Sequence, residues 1–508
     1  MTRCCPFDTQ PNNNSTFRIS EGVLDYSGYI DGAFVKGEGA PLTVENPSDE
    51  SIVDSFPGLS LAQVESAIRA ARRAYESGVW SGLPVRERAD ILHRFADAMA
   101  RHAGRLTEYA VEEAGCPRSS GVMFAQVATP LRHAHEAIDL FLTLPEFEEN
   151  PLPFAERISP MGQAVQSLRR YTPVGVVAGI AANNVPFYTA LWKVIPALIA
   201  GNAIVLRPNP LTPLSSIIFA EAAHEVGLPA GIFNLVIEAG LQGGQLLSSD
   251  PDIDMVGFTG SSAVGVKVAQ QAAATMKRLQ LELGGHSAQI FLPDAVDRAV
   301  MQARIVCTSH AGQGCALGKR LFVPEDQKAA LIEKIVADLA TVRIGLATEK
   351  ETQLGPVISA DQVARCEQHV AAAVAAGGRV AFGGKRTTVM NKGHFFEPTL
   401  LDLPDNKNPG AQEEIFGPIA AVIGYRDLDH AVEMANDSRY GLSGYVHGAD
   451  KKKSLEVALK IRSGTVQVNG AVASAFASSG GQRMSGIARE RGIEGLRVYQ
   501  QLSGLTIG

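Results

Sequence analysis

The chain has 508 residues, 45% of them hydrophobic and 19% charged, and a formal net charge of −7. That length exceeds what one hydrophobic core usually supports, so more than one domain is expected. A negative balance without a lysine and arginine stripe speaks against polynucleotide binding, and the apolar runs 174–182 and 191–199, which carry Gly, Lys or Pro, are too short to span a membrane.

Residues 1–27 open on Met1-Thr2-Arg3-Cys4-Cys5-Pro6 and polar Asn12-Asn13-Asn14-Ser15, without the apolar core of a secretory signal, and read as a lead-in. The six cysteines, at 4, 5, 116, 307, 315 and 366, form no CxxC pair and no metal-ligand spacing, so a reduced cytoplasmic protein without a metal centre is expected. A strand or two is expected over 29–34. Helical periodicity then dominates 60–144, with Ser60 and Gln63 as a capping box and Pro145 as the stop. Within it Ile91, Leu92, Phe95 and Met99, following Pro84, form one apolar face. Alternation of apolar and polar residues over 156–171 predicts an exposed hairpin suited to an oligomer contact.

From residue 174 short apolar runs alternate with helical segments. Runs 174–180, 203–206, 232–237 and 255–258 read as buried parallel strands of a doubly wound α/β sheet, a fold that places ligands at strand C-termini. A second series starts with a strand over 288–292 and continues with helices over 295–308, 326–340 and 361–376.

Several residues at these strand ends could carry chemistry. Asn184, in Asn183-Asn184-Val185-Pro186, is an amide able to stabilise an oxyanion or simply part of a turn. Arg207, before Pro208, suits a cofactor ribose or is a solvated charge. Gly257-Phe258-Thr259-Gly260-Ser261 leads into a helix whose free N–H groups and Ser261 hydroxyl suit a pyrophosphate, or it is only a capped turn. Glu282 points opposite to Leu279, Leu281 and Leu283 by the two-residue period of a strand, and is either a general base or a structural acid paired with a backbone amide. Cys315 follows Gly312-Gln313-Gly314, small neighbours that leave a nucleophilic thiol approachable, whereas Cys307 sits in an apolar helix and reads as inert.

Taken together, the chain resembles the aldehyde dehydrogenase superfamily over about 29–506. The resemblance rests on Asn184 at the family's Asn-aromatic-Pro turn, Arg207-Pro208 with Thr212-Pro213, Gly257 to Ser261, Glu282-Leu283-Gly284-Gly285, Gly312 to Cys315, and Glu414-Ile415-Phe416-Gly417-Pro418, in the family's order. It implies a doubly wound parallel-sheet, Rossmann-like cofactor domain at 28–147 and 172–283. An α/β catalytic domain would occupy 284–484, and a small β oligomerisation arm 148–171 and 485–508. The implied reaction is NAD-dependent oxidation of an aldehyde to the carboxylic acid, with NADP possible. Cys315 would be the nucleophile, Asn184 and the Cys315 N–H the oxyanion donors, and Glu282 the base that activates water against a thioester. The cofactor would lie against Ile180, Ala181, Ala182, Arg207, Gly260, Ser261, Leu283, Glu414 and Phe416. A homodimer or homotetramer would follow.

The chain also departs from that family's pattern. Ala182-Asn183 replaces the usual Pro-Trp, Arg207 a lysine, Pro210 the glutamate of many NAD-preferring members, His286 a lysine, and Ser478-Ser479-Gly480-Gly481 a Pro-Phe-Gly-Gly. By the same correspondence Val185, Thr189, Gly314, Ala316 and 471–476 line the substrate channel. Their small, apolar character predicts a bulky or long apolar aldehyde, aromatic or terpenoid. Two other readings compete. A CoA-acylating aldehyde dehydrogenase is disfavoured by Glu282, and a non-catalytic member of the fold is disfavoured by the joint presence of Asn184, Glu282 and Cys315.

Overall fold

The computed structural model describes residues 26–470 and 474–508. The expected lead-in up to residue 25, with Cys4 and Cys5, lies outside them. The Ser60 capping box forms as expected at the head of the helix Leu61–Glu76: Gln63 N donates to Ser60 Oγ and Ser60 N donates to the Gln63 side chain. The next helix, Val85–Arg101, starts after Pro84 and turns Leu92, Phe95 and Met99 into the core, with Ile91 partly covered. Ala103–Glu112 and Thr129–Leu142 complete the helical region, separated by one wide turn of π-helix at Phe124–Ala128.

These helices pack beside an eight-stranded sheet. Its order is Ala33–Val35, Gly28–Ile30, Phe233–Val236, Ala203–Arg207, Val176–Ile180, Met255–Thr259, Arg278–Glu282, Gly486–Ile487. The five inner strands from Phe233–Val236 to Arg278–Glu282 are parallel, and three of them are buried along their whole length, which explains their continuous apolar sequences. Chain order runs outward in one direction from Val176–Ile180 to 203 and 233, and in the other to 255 and 278. That reversal opens a crevice at the C-termini of Val176–Ile180 and Met255–Thr259.

A seven-stranded sheet forms from the second half, ordered Arg379–Phe382, Thr399–Leu403, Ile419–Tyr425, Arg320–Pro324, Ala288–Phe291, Ser443–His447, Thr465–Val468. All its pairings are parallel except the edge strand Arg379–Phe382. The helix expected from 295 begins at Arg298, because Pro293–Ala295 first makes a tight 3₁₀ turn. Helices Glu325–Leu339 and Ala360–Ala375 match expectation within a residue.

The expected hairpin over 156–171 needs correction. The arm is a three-stranded antiparallel sheet in which Phe147–Glu149 and Gln500–Ile507 flank Gln166–Pro173. Residues 150–165 form a loop closed by one bridge between Ile158 and Ala164. Inside that loop Ser159 N donates to Gln163 O and Val165 N to Arg157 O, at 2.8 Å each, while Pro160 at the tip has no N–H with which to extend a ladder. Among the described residues, no helix is long and apolar enough to cross a membrane.

Candidate active site

The turn after Val176–Ile180 carries Asn184, the end of Arg278–Glu282 carries Glu282, and the loop before Arg320–Pro324 carries Cys315, so both sheets contribute to one site. Asn184 is buried at 8% exposure and its Nδ2 donates to Gln313 O at 2.8 Å, which sets the amide two residues from Cys315. The Asn184 carbonyl accepts from Gln126 Nε2 at 2.7 Å, from the π-helical turn. Gln126 was not foreseen, since only the fold brings that turn to the site.

The loop before Cys315 is conformationally costly. His310 and Ala311 have φ of 50° and 51°, a left-handed geometry that costs of order 1–2 kcal/mol per residue. Gly312 follows at φ 70°, where a Cβ would come within 1.9 Å of Gly417 O, so glycine is required. Gln313 pins this shape: its Nε2 donates to His310 O at 3.1 Å and its Oε1 accepts from Ile358 N at 2.9 Å. Cys315 itself is half-buried, and burial followed by the carboxylates of Glu414, Glu282 and Glu490 pushes its thiol up to about 12. Cys307 is fully buried, as expected of an inert thiol.

Glu282 Oε1 is buried with no hydrogen-bond partner among the described residues. The backbone-paired structural acid is therefore not what forms. Burial, then the nearby Glu490 carboxylate, raise its carboxyl to about 8, against the opposing pull of Lys193, Arg489 and Arg491. Lys193 Nζ in turn meets Glu490 Oε1 at 2.5 Å. Lys193 lies on the helix Pro186–Ile199, and its stem crosses the sheet where a Cβ at Gly257 would stand 3.0 Å from Lys193 Cδ. Neither Lys193 nor Glu490 was expected from the sequence as a site residue. Lys193 did leave a signal, being the one charge in a helix otherwise apolar enough to be core.

Around the crevice, Ile180 and Ala181 are buried, and Ala181 N donates to Arg207 O at 3.0 Å. Ala182 N donates to Thr189 Oγ1, which donates to Pro186 O, so the Thr189 hydroxyl is used internally. Ser261 caps the helix Ser262–Ala273 through Val264 N, leaving the N–H groups of Ser262 and Ala263 without helical acceptors. Free donors at a helix start that follows the end of Met255–Thr259 have the chemistry to fit a pyrophosphate. Gly260 N donates to Glu282 O at 3.1 Å, tying this turn to the acid strand. Leu283 is buried over Gly265, and Glu414 accepts from Gly285 N at 3.1 Å with burial raising its carboxyl. The Phe416 carbonyl accepts from Gln362 Nε2 at 2.6 Å.

Arg207 is not a solvated charge. It is 5% exposed, with Nε 2.6 Å from Glu238 Oε1 and Nη2 2.6 Å from Gly240 O. Of the expected channel lining, Ala471, Val472 and Ala473 lie outside the described residues, Ala475 is buried and Phe476 is exposed.

The sequence pattern of the aldehyde dehydrogenase family matches residues 34–504, nearly the whole of both sheets and the site between them. The chain belongs to the aldehyde dehydrogenase family. Among curated relatives, it is 35% identical to geranial dehydrogenase of Castellaniella defragrans over 464 residues, 91% of this chain and 94% of the relative. Among solved structures, a mutant of aldehyde dehydrogenase C from Pseudomonas syringae, complexed with NAD+ and octanal, superposes with a TM-score of 0.88 at 33% identity, covering 95% of this chain and 96% of that one. An aldehyde dehydrogenase of Mycobacterium tuberculosis complexed with NAD+ gives 0.90 at 33% identity, covering 96% and 99%. This aldehyde dehydrogenase is thus an oxidoreductase acting on aldehydes, with a mixed α/β fold built on parallel sheets.

Proposed function

We propose that this aldehyde dehydrogenase oxidises a bulky or long apolar aldehyde to the carboxylic acid with NAD, through a covalent thioester on Cys315 that water cleaves. The observation that carries this reading is the convergence of Cys315, the Gln313-tethered amide of Asn184 and a Glu282 oxygen without a partner.

At neutral pH the Cys315 thiol is protonated, so attack on the carbonyl carbon requires a base. The ionised fraction of Glu282, whose carboxyl lies at about 8, takes the Sγ proton as the S–C bond forms. The carbonyl oxygen becomes an alkoxide held by the free Nδ2–H of Asn184 and the Cys315 N–H, donors of a kind worth about 3 kcal/mol each. The chemistry supplied by bound NAD is hydride acceptance, which leaves a thioester on Cys315. Glu282 releases its proton to solvent and then takes one from water, whose oxygen attacks the thioester; the C–S bond breaks, Sγ recovers a proton from Glu282, and the acid leaves. NAD would be held by the backbone at Ile180 to Ala182, the Ser262 and Ala263 N–H groups beside Gly260 and Ser261, Arg207, Leu283, and Glu414 with Phe416.

Apolar substrate chemistry is favoured by the small side chains of Val185 and Ala316 and by a Thr189 hydroxyl that is already satisfied. The geranial and octanal named for the relatives fit that character. We further assign residues 28–147 and 172–283 to coenzyme binding, 284–484 to catalysis, and 148–171 with 485–508 to homo-oligomerisation. The exposed Phe154, Leu502 and Ile507 on that arm support the last point. The test is an aldehyde panel including octanal, geranial, benzaldehyde and succinic semialdehyde, read by reduced-coenzyme absorbance with NAD and NADP separately. Faster turnover of the apolar members without CoA is expected. Equal turnover of succinic semialdehyde would overturn the substrate class, and a CoA requirement would overturn hydrolysis.

A further inference from the structure

We infer that Glu238, two residues past the strand that neighbours the Arg207 strand, sets the coenzyme preference of this enzyme by excluding a 2′-phosphate. This rests on the proposed placement of NAD against Arg207. Position 210, three residues after Arg207, is proline and offers no carboxylate.

Glu238 supplies one from another element. Ala203–Arg207 and Phe233–Val236 are neighbouring parallel strands, with Leu206 opposite Leu235, so Arg207 and Glu238 leave the sheet side by side at its ligand-binding edge. Both are nearly fully buried, at 5% and 7% exposure, and are in contact at 2.6 Å. Glu238 also occupies the start of the helix Gln242–Ser249: Oε2 accepts from Gly243 N at 2.8 Å and Oε1 from Gly244 N at 3.0 Å. The two glycines make this possible. A Cβ at 243 would stand 2.8 Å from the Glu238 carboxyl, and one at 244 would stand 3.3 Å from Arg207 Nε.

A phosphate at a ribose 2′ position needs an uncompensated cation and free N–H donors. Here Arg207 would be the cation and the helix start would provide the donors, but the Glu238 carboxylate has taken both. Arg207 is neutralised, two of its nitrogens are committed to Glu238 and Gly240, and the Gly243 and Gly244 donors already face a negative charge. A dianionic phosphate meets like charge at short range. A ribose hydroxyl meets an acceptor, because Oε2 carries a single hydrogen bond.

The test measures dissociation constants of NAD+ and NADP+ by titration calorimetry on the full-chain enzyme, for the native protein, Glu238→Gln, Arg207→Gln and the double variant. The native enzyme is expected to bind NAD+ more tightly, and Glu238→Gln to narrow the ratio at least about tenfold, through tighter NADP+ binding that weakens with added salt. The same carboxylate is read a second time without the buried arginine. In the Arg207→Gln background, adding Glu238→Gln should improve NADP+ binding by at least about tenfold, so a single variant that fails to fold does not remove the test. Ratios that stay within about threefold in both backgrounds, or a native enzyme that binds NADP+ as tightly as NAD+, would overturn the assignment. Arg207→Gln leaving both coenzymes unaffected would instead remove the underlying placement of NAD at this strand edge.

Discussion

Lys193 and Glu490 are 297 residues apart in sequence and 2.5 Å apart in space, with no exposed surface on the lysine. Breaking one side of such a pair strands a buried charge. Lys193→Met is expected to lower the unfolding free energy by about 3–5 kcal/mol in urea titrations. Lys193→Met with Glu490→Leu is expected to recover most of that loss. If the double variant proves as unstable as the single one, the pair is not the source of the effect.

As the proposed base, Glu282 should make stability and activity respond to pH in opposite directions. Its folded-state carboxyl lies at about 8, above the ordinary 4.5, so the folded protein binds the proton more tightly than the unfolded chain. The sign is therefore a loss of stability as pH rises from 4.5 to about 8, levelling beyond. The hydrolytic step gains over the same window as the carboxylate forms. Denaturation curves and single-turnover hydrolysis across that range should show both slopes, and Glu282→Gln should flatten both while slowing hydrolysis about 10²–10⁴-fold.

Cys315→Ala should lower aldehyde-dependent coenzyme reduction at least about 10³-fold while coenzyme affinity and melting temperature are retained. Because burial and three carboxylates hold the native thiol up to about 12, alkylation by iodoacetamide should be slow near neutrality and accelerate steadily with pH. Rapid, pH-independent labelling at Cys315 would contradict that electrostatic account.

Asn184→Ala should cost about 10²–10³ in kcat by removing an oxyanion donor. Gln126→Leu, which removes the bond to the Asn184 carbonyl and a contact with the Cys116 thiol, should lower kcat about tenfold or more with little change in KM, since it shifts a donor rather than a binding contact. Steady-state kinetics on both variants check the order.

Deleting 500–508 removes the strand that pairs with Gln166–Pro173 and should convert the proposed homo-oligomer to monomers in sedimentation velocity. An unchanged sedimentation coefficient would place the oligomer contact elsewhere.

The strands at the crevice were legible because burial on both faces imposes unbroken apolar runs, and Ser60 announced its helix through a contact three residues away. Interactions between distant segments were not legible. Arg207 carried two readings, and the deciding partner, Glu238, sits 31 residues on in a loop whose sequence has no reason to name it. The arm illustrates a different failure. Alternation over 156–171 imitates one strand pair, but a partner drawn from the C-terminus takes the ladder from Gln166 onward and leaves only a single bridge before it. Glu282 was found by its strand period, whereas the absence of a partner for Oε1 depends on what the remaining chain packs around it.

The Asn184 to Gln313 hydrogen bond joins the edge of one sheet to the approach of the other. The proposed oxyanion donor and the proposed nucleophile are therefore riveted together, and a hinge motion that parted the two sheets would have to break this bond before it widened the site. Coenzyme exchange should accordingly proceed by local rearrangement at the outer end of the crevice, with the reactive centre keeping its registration from one turnover to the next.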